Sequence, residues 1–187
     1  MIRKAAAASA LFFSLGLLSA PAWAQDSDRI PDKEILTWVQ NACQSKEFST
    51  FFEHFVQNPA VRAAYTAPQV EIRKLSDPKQ VVSTAPAADY KTLPLSFWDY
   101  SYADTASADK FEAGQSETIE FLQLDFQDLP GDGRKVSFVK AEYLDAQGQS
   151  VGNPEGIEYE RVRTYGDPRA LVFTWRDGCW RLTQDLR

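Results

Sequence analysis

The C-terminal segment of this chain constrains its fold more tightly than any other stretch. Apolar and polar residues alternate from Leu171 to Trp175, and the alternation resumes at Trp180 after the dipeptide Asp177-Gly178. Side chains in a strand alternate between the two faces of its sheet, and Asp and Gly tolerate the positive φ that a tight primed turn requires. The pattern therefore predicts a two-stranded hairpin at the end of the chain.

One arm of this hairpin carries Cys179, and the other cysteine of the chain is Cys43. Two cysteines in an exported protein usually form a disulfide. We therefore expect a bridge that ties the first helix to the last hairpin, and two separate buried thiols are the alternative. A bridge that closes a loop of about 136 residues would stabilise the fold by about 5 kcal/mol on the chain-entropy model.

The N-terminal segment predicts export. Arg3 and Lys4 precede the apolar residues 5–18, and Ala22-Trp23-Ala24 fits the small-x-small rule for signal-peptide cleavage. An uncleaved membrane anchor is disfavoured because the apolar run is shorter than the ~20 residues that span a bilayer. We expect a signal peptide at residues 1–24, cleavage after Ala24, and a periplasmic or secreted chain that does not span the membrane. Residues 25–187 are long enough for a single domain with a sizeable core.

The charge balance limits the partners of the mature chain. Removing residues 1–24 takes away two basic residues and no acidic one, so the formal charge changes from −6 to −8. Non-specific nucleic-acid binding depends on cationic contacts to phosphate, so we expect no nucleic-acid partner. An acidic surface is compatible with a basic protein partner, although it also serves solubility.

The order of the hydrophobic patterns predicts an α+β fold. Apolar residues recur at three- and four-residue spacing over residues 35–43 and 48–56, which is typical of helices, and further helical turns follow Pro59. From Val70 onward, alternating patterns separated by turn residues predict an antiparallel sheet of about five to six strands. Residues 103–117 are polar and predict a loop. The later predicted strands lie at residues 95–102, 119–126, 136–144 and 157–165.

The helical stripe Phe48-x-x-Phe51-Phe52-x-x-Phe55 and the hairpin from Phe173 to Leu182 resemble the nuclear transport factor 2-like, cystatin-like superfamily. Within it, the chain is similar to small exported bacterial proteins. The resemblance implies a curved antiparallel sheet wrapped around N-terminal helices. The superfamily includes enzymes such as ketosteroid isomerase and many non-catalytic binding modules, so membership alone does not choose a function. No catalytic residue of the enzymatic branches aligns with this sequence.

The predicted strand at residues 157–165 holds the best candidates for ligand binding. Strict alternation places Tyr159, Arg161 and Arg163 on one face. If that face is concave, the two arginines could hold an anion bidentately. A charged solvent face laced by Glu–Arg pairs is the alternative.

Asp99 is a further candidate because it lies between Trp98 and Tyr100. If Asp99 faces inward, its carboxylate would lie in an apolar pocket, which favours acid–base chemistry on a small apolar substrate. If Trp98 and Tyr100 face inward instead, Asp99 is a solvated strand residue, and we favour this second interpretation.

Metal, cofactor and catalytic motifs are not predicted. His54 is the one histidine, and together with two cysteines in a disulfide it cannot supply the usual zinc ligands. The acidic residues around the turn at 130–133 do not match the spacing of a calcium loop. The sequence contains no nucleophile elbow and no glycine-rich phosphate loop.

The sequence therefore predicts an exported, non-catalytic binding or protein-interaction domain for an unidentified small ligand or protein. Two alternatives stay open. One is an isomerase- or hydratase-like enzyme that acts on a small apolar substrate in a cone-shaped pocket. The other is an inhibitor or immunity protein against a basic cell-wall-acting enzyme, for which the acidic charge is the argument.

Overall fold

A computed structural model describes residues 30–145, 148 and 159–187, without the side chains of Asp145, Tyr159 and Glu160. The predicted signal peptide at residues 1–24 and its cleavage site after Ala24 lie outside the described residues and stay predictions. Within the described part of the chain, no helix combines the length and the apolar character needed to cross a membrane.

The described part of the chain begins with three helices, as the sequence pattern predicts, and continues mainly as strands. The helices are α1 (Asp32–Ser45), α2 (Phe48–Gln57), α3 (Pro59–Tyr65) and α4 (Thr105–Glu112), with a 3₁₀ helix at Ala87–Lys91. The strands are β1 (Thr66–Arg73), β2 (Val81–Pro86), β3 (Leu95–Trp98), β4 (Ser101–Asp104), β5 (Leu122–Leu129), β6 (Gly133–Asp145), β7 (Tyr159–Arg176) and β8 (Cys179–Leu186).

Six of these strands form one curved sheet in the order β2-β1-β8-β7-β6-β5, and β3 and β4 form a separate hairpin. Neighbours in the large sheet are antiparallel except β1 and β8, which run parallel. The α+β class and the sheet of five to six strands are confirmed. The parallel pair arises because β1, which follows the helices, joins the sheet beside the C-terminal hairpin.

The terminal hairpin and the disulfide are both confirmed. Asp177 and Gly178 have positive φ values of 53° and 79°, and Trp175 faces Trp180 across the turn. Cys43 in α1 is bonded to Cys179 in β8, with the two Cα atoms 5.0 Å apart. The bridge therefore fastens the first helix to the start of the last strand.

The aromatic stripe of α2 packs directly on the terminal hairpin. The ring centroids of Phe55 and Phe173 lie 5.1 Å apart, and so do those of Phe48 and Trp180. Trp180, Phe51 and Phe55 have no solvent exposure. Because side chains of this size fill the space at close-packed density, the region between α2 and the sheet is a core and not an open cavity.

Two segments differ from the sequence prediction. Residues 95–102 form a hairpin and not one strand, because Asp99 and Tyr100 both adopt positive φ and make a two-residue turn of the primed type. The predicted loop at 103–117 contains α4. Asp104 caps that helix by accepting a hydrogen bond from the backbone N–H of Ser107 at 3.0 Å. An aspartate at this position is a sequence signal for the start of a helix, but the polar composition of the segment favoured a loop.

Candidate functional site

A buried carboxylate, Asp185, is the centre of the candidate site. Asp185 lies on β8 opposite Leu171 of β7, whose side chain belongs to the main core. Residues directly opposite each other in an antiparallel pair share a face of the sheet, so the carboxylate of Asp185 also points to the helix-bearing side. Its side chain is 1% exposed, and it is the one buried carboxylate among the described residues.

Three side chains donate hydrogen bonds to Asp185. Nη2 of Arg169 lies 3.0 Å from each carboxylate oxygen. Arg187 donates to Oδ2 from Nη2 at 2.7 Å and from Nε at 3.1 Å, and the hydroxyl of Tyr90 donates to the same oxygen at 3.2 Å. A buried charge is stable only when it is paired and hydrogen-bonded, and these donors meet that requirement.

The segment that carries Tyr90 is held by a buried arginine, Arg62. From α3, its Nη1 donates to the carbonyl oxygens of Phe55 at 3.2 Å and Val56 at 2.6 Å, near the end of α2. Its Nε donates to the carbonyl of Lys91 at 3.0 Å, in the 3₁₀ helix that carries Tyr90. Arg62 thereby ties the helical layer to the segment that brings Tyr90 over the sheet.

The cluster carries more positive than negative charge. Burial raises the pKa of Tyr90 to about 12, and the nearby negative charge of Asp185 adds to the shift, so the phenol is a neutral donor at pH 7. The hydrogen bonds to Asp185 raise the pKa of Arg187. Two guanidinium groups therefore surround one carboxylate, and the Nε–H of Arg169 is buried without an acceptor among the described residues.

A cavity of about 350 Å³ opens beside this cluster. That volume lies at the lower end of the range for small-molecule pockets, which is roughly 300–1,000 Å³. Arg169, Arg187, Asp185 and Asp89 contribute charged groups to it. The other lining residues are Ile72, Ala85, Tyr90, Thr92, Leu93 and Pro94.

The structure separates the two arginines predicted from the sequence to share a face. Arg161 lies opposite Tyr143 of β6, and Arg163 lies opposite Glu142, which is the next residue on that strand. Neighbouring residues of a strand face opposite sides, so the predicted common face is wrong. The physical reason is a β-bulge at Val162, an extra residue without a partner that reverses the alternation.

The two arginines also have different partners. Arg163 donates from Nε to Glu142 at 2.6 Å, and Arg161 donates to the side-chain oxygen of Gln123. Tyr159 begins β7 opposite Asp145, and its side chain lies outside the described part of the chain. The ion pair between Glu142 and Arg163 matches the alternative interpretation, in which this strand presents a charged face to solvent.

Arg163 lines a groove of about 360 Å³ together with Glu120, Glu142 and Tyr165. Lys140 donates to Glu120 at 2.5 Å, and this hydrogen bond raises the pKa of Lys140. The two acids of the groove are therefore each paired with a cation, and no positive excess is left beside Arg163.

The remaining sequence candidates do not converge on a site. Asp99 lies in the exposed turn of the β3–β4 hairpin, outside any dry pocket, and Tyr100 beside it is 70% exposed. His54 packs beside Trp38, with ring centroids 5.9 Å apart. Asp132 pairs with Lys46 at 2.9 Å. No group of three His, Cys, Asp or Glu side chains within the described residues is arranged to hold a metal ion.

Comparison with known proteins gives weak similarity in structure alone. No protein-family model matches the chain, and no curated protein matches it. Among solved structures, Aln2 from a Streptomyces species is 11% identical with a TM-score of 0.29, and the match covers 82% of this chain and 84% of that one. A dehydratase candidate of the NTF2-like family from Streptomyces avermitilis is 15% identical with a TM-score of 0.24, over 82% and 90% of the two chains. These values assign neither a family nor an activity.

Proposed function

We propose that this chain is an exported, non-catalytic binding domain that takes a small carboxylate-bearing ligand in the cavity beside Asp185. The observation that carries the proposal is the meeting of Arg169 and Arg187 at one buried carboxylate on the wall of that cavity. Asp185 alone cannot neutralise both guanidinium groups, and Asp89, the other acid of the cavity, forms no ion pair with either arginine among the described residues, so an anionic group of the ligand would pair with the arginines. Arginine is also suited to carboxylates because its planar donors bind them bidentately.

The surroundings of Asp185 support binding over catalysis. A general base must reach the proton that it takes, but the side chain of Asp185 is 1% exposed and is held by hydrogen bonds from Arg169, Arg187 and Tyr90. The adjacent space between α2 and the sheet, where a cone-shaped substrate pocket would lie, is filled by aromatic side chains. These features favour the binding domain over the isomerase- or hydratase-like alternative.

Export is supported by two features. The pattern of residues 1–24 is that of a cleavable signal peptide. The Cys43–Cys179 disulfide fits the same compartment, because such bonds persist in oxidising environments such as the periplasm or the extracellular space.

The residues proposed from the sequence lie in different places, with Arg161, Arg163 and Tyr159 on β7 and Asp99 on the β3–β4 turn. Arg163 does line a groove, but its charge is balanced there by Glu142, with which it forms an ion pair. We therefore place the ligand beside Asp185 and treat the Arg163 groove as the alternative that an experiment must separate from it.

The test is isothermal titration with 4-methylpentanoate, at an ionic strength matched with sodium chloride, against three proteins. They are the wild-type protein, Arg187→Gln, and the double variant Arg161→Ala/Arg163→Ala. The side chain of Arg187 is 53% exposed, so its replacement leaves Asp185 paired with Arg169 and Tyr90 and should leave the fold intact. Thermal denaturation of each variant checks this.

We expect wild-type protein and the double variant to bind equally, and Arg187→Gln to bind at least about tenfold more weakly, because one of the two positive charges is lost together with Nη1 of Arg187, which donates no described hydrogen bond. Loss of binding in the double variant alone would move the ligand to the Arg163 groove. No binding of wild-type protein at about 10 mM ligand, a concentration that detects even weak complexes, would overturn the proposal.

A further inference from the structure

A second acidic residue, Asp89, lines the same cavity as Asp185 but differs from it in burial and in interaction partners. It lies next to Tyr90 in the 3₁₀ helix and its side chain is exposed, whereas that of Asp185 is buried. No described residue donates a hydrogen bond to Asp89 or forms an ion pair with it. Its charge is therefore available to a molecule in the cavity.

The cavity thus has charges of opposite sign on different elements. Arg169 belongs to β7 and Arg187 follows the end of β8, whereas Asp89 belongs to the 3₁₀ helix. A simple anion would be attracted by the arginines and repelled by Asp89. A simple cation would be attracted by Asp89 and repelled by the arginines. A ligand that carries both charges can satisfy both groups at once, which is how complementary charges produce specificity.

Apart from the hydroxyl-bearing Tyr90 and Thr92, apolar residues line the rest of the cavity. Ile72 and Ala85 come from β1 and β2, and Leu93 and Pro94 follow the 3₁₀ helix. They contribute no hydrogen-bonding side chain, so the matching part of a ligand is a hydrocarbon group. A volume of about 350 Å³ leaves room for such a group beside the charged end of a small molecule.

We infer that the ligand is a free α-amino acid with an apolar side chain, whose carboxylate binds Arg169 and Arg187 and whose ammonium group faces Asp89. The inference rests on the function proposed above, since both use the cavity beside Asp185. It adds the ammonium group and the role of Asp89 in selecting it.

The experiment compares three ligands that differ by one charged group each, by isothermal titration at neutral pH and matched ionic strength. They are L-leucine, 4-methylpentanoate, which lacks the ammonium group, and 3-methylbutylamine, which lacks the carboxylate. We expect leucine to bind about fivefold more tightly than 4-methylpentanoate, because the ion pair with Asp89 is partly exposed to solvent. The amine should bind most weakly, since it meets two arginines without a carboxylate.

Asp89→Asn is the decisive variant, because it removes the charge of an exposed residue without disturbing a described contact. This variant should bind leucine only as tightly as the wild-type protein binds 4-methylpentanoate. Asp109→Asn, which changes an exposed aspartate of α4 outside the cavity, is the matched control and should bind all three ligands like the wild-type protein.

The outcomes separate the two proposals. Equal binding of leucine and 4-methylpentanoate to the wild-type protein, or a preference for leucine that Asp89→Asn leaves unchanged, would overturn the amino-acid inference and keep the carboxylate site. Failure of both leucine and 4-methylpentanoate to bind would overturn both proposals. Tighter binding of 3-methylbutylamine than of leucine would contradict the role of the two arginines.

Discussion

Arg169 and Asp185 are joined through both oxygens of the carboxylate, since Nη2 of Arg169 lies 3.0 Å from Oδ1 and 3.0 Å from Oδ2. The pair connects β7 to β8 on the helix-bearing side of the sheet. Asp185 is almost fully buried while Arg169 is 27% exposed, so the desolvation cost falls mainly on the carboxylate. The stability of this part of the fold therefore depends on keeping the charges together.

Replacing Asp185 with Asn should destabilise the protein by about 3 kcal/mol, which is the lower end of the cost of breaking a buried ion pair. The cost arises mainly at Arg169, which loses its counter-ion while it is largely shielded from solvent. It stays at the lower end because Arg187 is more exposed and can turn to solvent. Urea denaturation followed by tryptophan fluorescence measures the change in unfolding free energy. Asp89→Asn should stay within about 0.5 kcal/mol of the wild-type protein, as is usual for an exposed position. Equal stability of the two variants would contradict the structural role of Asp185.

Tyr90 should make the fold sensitive to alkaline pH. Its pKa is raised from 10.0 to about 12, so the folded protein keeps the phenolic proton where the unfolded chain loses it. The contribution to stability is fully present below about pH 10 and is lost as the pH rises through about 12. Burial also raises the pKa of Tyr65, Tyr102 and Tyr165, which acts in the same direction.

Between about pH 9 and about pH 12, the unfolding free energy of Tyr90→Phe should therefore fall by about 2 kcal/mol less than that of the wild-type protein. Urea denaturation repeated across this pH range measures the difference. Tyr100→Phe is the matched control, because the side chain of Tyr100 is exposed, and it should follow the wild-type curve. If Tyr90→Phe also follows the wild-type curve, the hydroxyl of Tyr90 does not carry the alkaline sensitivity.

Removing the disulfide should reduce stability without removing ligand binding. Cys43 and Cys179 are 136 residues apart, and the double variant Cys43→Ala/Cys179→Ala frees that loop in the unfolded chain. We expect a loss of between about 2 and 5 kcal/mol in urea denaturation. The affinity for 4-methylpentanoate should stay within about twofold of the wild-type value, within the usual scatter of such measurements, because neither α1 nor the terminal turn lines the cavity. Two alkylatable thiols in the non-reduced wild-type protein would contradict the bridge itself.

Helices, turn and disulfide could be predicted because each depends on a local or chemically distinctive signal. The spacing of Phe48, Phe51, Phe52 and Phe55 is helical whatever surrounds it, and these rings do lie on the buried face of α2. Asp177-Gly178 makes its turn through its own allowed dihedral angles. The β3–β4 hairpin was missed because Asp99-Tyr100 carries no comparable signal, even though it adopts the same kind of turn.

The candidate site could not be predicted by counting along strands. Strict alternation from Leu182 would place Asp185 on the outer face with Thr183. In the structure Thr183 has no register partner on β7, since Leu182 lies opposite Phe173 and Gln184 lies opposite Val172. This extra residue turns Asp185 to the inner side, beside Tyr90 and Arg169.

The sequence by itself thus determined the α+β class, the aromatic face of α2, the terminal hairpin and the pairing of Cys43 with Cys179. Only the tertiary structure decided which charged side chains meet. Val162 and Thr183 have no residue opposite them on the neighbouring strand, and each of them reverses the faces of the side chains that follow it. A single extra residue moves every later side chain to the other side of a sheet. Whether the strand accommodates that residue depends on the neighbouring strands and on the packing above them, which no local pattern contains.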